Sequence, residues 1–129
     1  MKITLLGMDG IRLEPIPGPM TIEAESADQL YSSFHMLASS LAFCTYSVLA
    51  SWASNAKVES DDIAIEVRWI FAEDPHRVAE IDVKIQWPSL PEARRSAASR
   101  VADLCAIHAT LAHPPTMRTV VETPAAAAV

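Results

Sequence analysis

Glycine, cysteine and basic residues are all scarce in this chain, and each scarcity closes off a class of function. Three glycines in 129 residues leave no glycine-rich loop to cradle a phosphate. Ten Lys and Arg against sixteen Asp and Glu give a formal net charge of -6. With no run of basic residues, that balance argues against nucleic acid as a partner. Only two cysteines occur, Cys44 and Cys105. Without an export signal they point to a reducing compartment, where a disulfide is transient rather than a structural staple. The N-terminal stretch MKITLLGMDG carries too short an apolar run for a secretory signal, so the mature chain is expected to begin there and to reside in the cytoplasm.

Charge is missing altogether from position 29 to position 56, between Asp28 and Lys57. A run of that length can cross a bilayer. Its seven serines, with Gln29, His35, Thr45 and Asn55, argue instead for the central helix of a soluble domain and against a membrane partner. Ser26 or Asp28 is the expected cap, and the helix is expected to run to about Ala56. Small residues such as Ala38, Ser39, Ala42, Ser47 and Ser51 fall on every side of it, so other segments can approach from several directions. At 1.5 Å per residue such a helix extends roughly 42 Å, more than one domain of this size covers. Either it breaks, or a second subunit covers the remainder.

Around this helix the pattern is mostly β. Residues 2 to 6, 11 to 14 and 20 to 24 read as short strands making an antiparallel entry to a sheet, punctuated by MDG and PIPGP. DIAIEVRWIF and RVAEIDVKIQW alternate strictly, with Ile63, Ile65, Val67, Trp69 and Phe71 on one face of the first strand and Ala79, Ile81, Val83, Ile85 and Trp87 on one face of the second. The linker AEDPH joins them as a hairpin with one buried face. A second helix is expected over 90 to 111, begun by Ser89 and Glu92 as a capping box and carrying Cys105 on its inward face. MRTVVE reads as a last strand, and TPAAAAV, residues 123 to 129, as a low-complexity disordered tail. Residues 1 to 122 thus form one domain of α+β class.

Chemistry rests on the two thiols. A buried helical cysteine is most often a small hydrophobe, so core packing stands beside any functional reading of Cys44 and Cys105. A peroxide-reducing thiol needs a thiolate for attack and a second thiol to resolve the sulfenic acid, and two inward-facing cysteines meet that minimum. Cys44, in mid-helix, gains little from its own helix dipole, so a neighbouring cation is required. Arg12 and His108 are the candidates. His35, nine residues before Cys44, falls on the opposite side of the helix. Cys105 and His108 make only half a metal site, so no metal is expected.

LASSLAFCTYSVLASWA followed by ADLCAIHATL resembles the two cysteine blocks of the OsmC/Ohr family, the osmotically inducible and organic hydroperoxide resistance proteins. The likeness covers roughly residues 20 to 122. It implies an intertwined homodimer with antiparallel sheets wrapped around long central helices, which would account for the overlong helix. It implies that Cys44 is the peroxidatic and Cys105 the resolving thiol, and that the reductant is a dithiol such as a lipoylated protein, with no bound cofactor. Two supports of the family's thiolate are replaced. Phe34 stands where the family has a Glu, ten residues before the cysteine, and Met8 stands where its Gly-Arg-Asp-Gly loop has an Arg. Arg12 is then the available substitute.

The sequence therefore predicts an OsmC-like thiol peroxidase for organic or fatty-acid hydroperoxides, with Met8, Phe34, Met36 and Phe43 forming an apolar approach. The competing reading is a non-catalytic dimeric module that binds an apolar small molecule or senses redox state, favoured by Phe34 and Met8. A third keeps both cysteines as core of a structural dimer.

Overall fold

A computed structural model describes residues 1–125. Three short strands open the chain: β1 (Lys2–Leu5), β2 (Gly10–Glu14) and β3 (Thr21–Ala24). Gly7, at φ 78°, supplies the left-handed turn between β1 and β2, and the Leu6 N–H donates to the Gly10 carbonyl at 2.7 Å. The pairing departs from the expected antiparallel entry. β1 runs antiparallel to β2 but parallel to β3, because the PIPGP stretch carries the chain back across the edge before β3 begins.

The helix α1 spans Ser33–Ala56. It ends as the sequence indicates but starts later, capped by Ser32 rather than by Ser26 or Asp28. The Ser32 Oγ accepts from the His35 N–H at 3.3 Å, and the Ser32 N–H donates to His35 Nδ1 at 3.1 Å. A capping box with His at its third position takes the place of the usual Glu or Gln. Lys57, left-handed at φ 56°, closes the helix by donating its N–H to carbonyls of the last turn. This is the one helix among the described residues long and apolar enough to cross a membrane. Here Ala38, Leu41, Ala42, Leu49 and Ala53 seat it on the sheet.

β4 (Ala64–Ala72) and β5 (Arg77–Gln86) form the expected hairpin. The five-stranded sheet has the order β3-β1-β2-β4-β5. Ile3, Ile11, Leu13, Ile65 and Val67 point from it into the core against α1, each fully buried aliphatic side chain worth about 1.5–3 kcal/mol. A register shift at Ile70/Phe71 corrects the strict alternation. Beyond it Val78 replaces Ala79 on the inner face, and Phe71 is exposed.

The second helix is not continuous. A 3-10 turn (Glu92–Arg94) leads into α2 (Arg95–Ala102), and after a break at 103–105 comes α3 (Ala106–Ala112). Ser89 caps nothing. Its N–H and hydroxyl both donate to the Asp62 carboxylate at 2.7 Å, tying the end of β5 to the loop before β4. Residues 117–122, the expected last strand, are exposed and without regular secondary structure, and join no sheet among the described residues. Of the expected disordered tail, 126–129 lie outside the described residues.

Candidate functional site

Cys44 sits mid-way along α1, and Cys105 at the break before α3. Cys105 has non-helical backbone angles (φ -54°, ψ 128°) and serves as the N-cap of α3, its sulfur accepting the His108 N–H at 3.4 Å. The break turns the first amides of α3 toward α1, and it brings the two sulfurs together. Both thiols are free, Cys44 half-buried and Cys105 buried.

Their environments drive them apart. Burial works against charge on Cys44. Hydrogen bonding from the Cys105 thiol and from the backbone N–H groups of Ile107 and Ala106 outweighs it, so the Cys44 pKa falls below the ordinary thiol value. Cys105 moves the other way. Burial and its thiol neighbour hold it above the ordinary value, against the N–H groups of His108 and Ile107 and the Thr45 hydroxyl. The more acidic and more accessible sulfur is the nucleophile of such a pair, and the neutral one its partner.

Cys44 opens on a shallow cavity of about 440 Å³ lined by Met20, Tyr31, Met36, Ser39, Phe43 and Ile107. Two of the four apolar residues singled out in the sequence, Met36 and Phe43, are there. The other two are not. Met8 is at the tip of the β1–β2 turn, 71% exposed. Phe34 points to the other flank of α1, edge-on to Phe71 with ring centroids 4.8 Å apart, and lines a small crevice with Val67, Trp69 and Val78.

The expected cations are elsewhere too. Arg12 lies between the buried Ile11 and Leu13 on β2, so its side chain leaves from the sheet face opposite α1. It is paired with Glu66 at 2.9 Å and donates to Gln86 at 2.7 Å. The His108 ring is 3.9 Å from the Asp103 carboxylate and lines a different groove, beside β5. His108 reaches the site through its backbone N–H alone. Thiolate support here comes from amides rather than a side-chain cation. Residue patterns hide that arrangement, since any residue type carries the donor. His35 stays out of the site, as its spacing predicts. Its Nδ1 accepts from Ser32, which leaves Nε2–H to donate to the Gly7 carbonyl at 3.0 Å.

Sequence reasoning also missed Ser39. Its Oγ is buried and has no hydrogen-bond partner among the described residues, although the residue borders the Cys44 cavity. Its place in a run of small helical residues gave no signal.

Comparison with known proteins follows the same outline. The family model described as OsmC-like protein matches residues 26–120. The fold is similar to the crystal structure of a protein from Psychrobacter arcticus 273-4, described as an osmotic stress induced and detoxification response protein. The TM-score is 0.57 at 20% identity, over 84% of each chain. No curated protein matches.

Proposed function

The chain belongs to the OsmC-like protein family, and on that premise we propose that it is a cytoplasmic thiol peroxidase for organic or fatty-acid hydroperoxides, working through Cys44 and Cys105 as a homodimer. The observation that carries the reading is the Cys44 sulfur, acidified beside Cys105 and facing an apolar cavity. The Cys44 thiolate attacks the terminal oxygen of ROOH. The O–O bond breaks, the alkoxide takes a proton and leaves as ROH, and Cys44 becomes a sulfenic acid. The Cys105 thiol then attacks that sulfur, forming the disulfide and releasing water. A dithiol, such as a lipoylated protein, returns both sulfurs to thiols and is itself oxidised to a disulfide.

Met36, Phe43 and Ile107 suit an alkyl substituent, and the Ser39 hydroxyl, buried and unpartnered in this conformer, would supply a hydrogen bond for a peroxide oxygen on rotating about χ1 toward the cavity. A dimer is supported by α1. Met36, Ser40, Phe43, Ser47, Ser51 and Ser54 make an exposed stripe along its outer side without a single charge, a face suited to a second helix rather than to water.

The second reading, a non-catalytic module that binds an apolar molecule or responds to redox state, is favoured by Arg12, which is engaged with Glu66 instead of with a thiolate. Cumene hydroperoxide and dihydrolipoamide separate the two. Turnover well past one equivalent per subunit is expected. Consumption that stops at one equivalent, with the disulfide formed and not recycled, decides for the module.

A further inference from the structure

Thr45 follows Cys44 on α1, and one residue turns it about 100° round the helix, away from the Cys44 cavity and toward the break before α3. It is 2% exposed. Ser47 and Thr110 turn their hydroxyls to the carbonyl four residues back, whereas the Thr45 hydroxyl donates to the Cys105 sulfur. Thr45 also lines a groove of about 240 Å³ whose wall holds Asp103 and His108. The rest of that wall is Ile81, Val83 and Ile85 of β5 with Ser99 and Ala102 of α2, none of them titratable. The volume is several times the roughly 30 Å³ that one water occupies. Water in the groove therefore reaches Thr45, while Cys105 behind it is wholly buried.

His108 and Asp103 face each other across the groove wall, Nδ1 to Oδ1 at 3.9 Å. The carboxylate favours the tautomer with its proton on Nδ1, which leaves Nε2 as a proton acceptor. Such an acceptor has a use. Burial and Cys44 hold the Cys105 thiol above the ordinary value, so Cys105 enters the resolving step protonated and its proton must leave as the S–S bond forms.

We propose that Thr45 and His108 take the proton of Cys105 in the resolving step, the Thr45 hydroxyl passing it into the groove and the His108 imidazole, oriented by Asp103, receiving it. Its place in the cycle rests on the peroxidase reading above. An electron pair of the Cys105 sulfur forms the S–S bond, and the S–O bond of the Cys44 sulfenic acid breaks. The thiol proton passes to the Thr45 oxygen as that oxygen gives its own, through water in the groove, to His108 Nε2. The departing hydroxide takes a proton from solvent and His108 returns one, so the step releases one water in all. Thr45 touches the reacting sulfur and is a catalytic residue; His108 and Asp103 act through it.

The test replaces the sulfenic acid by a mixed disulfide, so it needs neither peroxide nor turnover. With dithiobis(nitrobenzoate), Cys44 attacks first and releases one nitrothiobenzoate. Cys105 then attacks the mixed disulfide on Cys44 and releases the second, shedding the same proton. In the parent the rate of the second release is expected to level off through an inflection between about pH 5 and 8, where imidazole titrates. Thr45→Val is expected to slow that release roughly tenfold or more relative to the first, and Thr45→Ser to retain it. His108→Gln keeps the backbone N–H that the Cys105 sulfur accepts. It is expected to abolish the inflection, leaving a rate that climbs with pH as free thiolate does, and added imidazole is expected to restore part of the loss. A parent that releases only one equivalent, a second release that Thr45→Val leaves unchanged or slows only in step with the first, or an inflection that survives in His108→Gln overturns the relay. The two readings fail separately. Both variants releasing the second equivalent as the parent does removes the relay and leaves the peroxidase reading intact, whereas a parent that shows the relay but does not turn over cumene hydroperoxide removes the peroxidase reading alone.

Discussion

Cys44 and Cys105 are neighbours held in opposite protonation preferences: the Cys105 thiol helps to lower the pKa of Cys44, while burial and Cys44 itself raise that of Cys105. Replacing Cys105 by Ala removes a donor, so the Cys44 pKa is expected to rise and its alkylation at neutral pH to slow severalfold. Cys105→Ser keeps a hydroxyl donor and is expected to fall between the two. The sign follows from the direction of the shift. A lowered pKa keeps Cys44 reactive to lower pH, and its labelling rate is lost as pH falls through that value. Rate against pH for the parent and both variants gives the order; an unchanged profile in Cys105→Ala removes the coupling.

Arg12 separates the pattern in the sequence from the arrangement in space. Its bonds to Glu66 and Gln86 are made on the outer face of the sheet, so Arg12→Gln is expected to leave the Cys44 labelling rate within about twofold. Its cost falls on stability instead, about 1 kcal/mol for a partly exposed ion pair with hydrogen bonds. Urea denaturation and iodoacetamide kinetics on the same variant show whether the loss is structural or chemical.

The elements that alternate or run long were legible because their signal is repeated. Ile63 to Phe71 repeats every second residue, and α1 repeats an absence of charge over its whole length. What depended on a single backbone decision was not. Asp103, Leu104 and Cys105 contain neither glycine nor proline, so nothing in the pattern marks the break that makes Cys105 a cap and turns the α3 amides on Cys44. The register shift that exchanges Ala79 for Val78 on β5 is equally silent. Met36 and Phe43 border the Cys44 cavity, whereas Phe34 and Met8, singled out because they stand at the places of the family's Glu and Arg, lie on the other flank of α1 and at an exposed turn.

His35 joins three parts of the molecule. It completes the Ser32 capping box, donates to the Gly7 carbonyl and packs edge-on to Trp69, with ring centroids 5.2 Å apart. His35→Ala strips a helix cap and leaves a cavity in a fully buried place. A loss of about 2–4 kcal/mol is expected. Asn at this position shortens the reach to Gly7 while keeping a polar group near Ser32, and is expected to recover part of the loss. Urea midpoints of the two variants measure it, and equal losses would assign the effect to packing alone.

Ser39 gives the sharpest contrast between stability and activity. A buried hydroxyl without a partner costs the folded state about 1–3 kcal/mol relative to a satisfied one, so Ser39→Ala is expected to hold stability or raise it. If the hydroxyl donates to the peroxide oxygen, the same change removes a hydrogen bond worth about 0.5–1.5 kcal/mol, which is roughly two- to tenfold in rate. The loss should appear in cumene hydroperoxide reduction while iodoacetamide labelling of Cys44 is unaltered, because alkylation does not use that bond. Ser39→Thr keeps the donor and should retain the rate. A slower reaction accompanied by a lower melting temperature, or by slower labelling, would mean that Ser39 acts by holding α1 in place, and the substrate contact would then be abandoned.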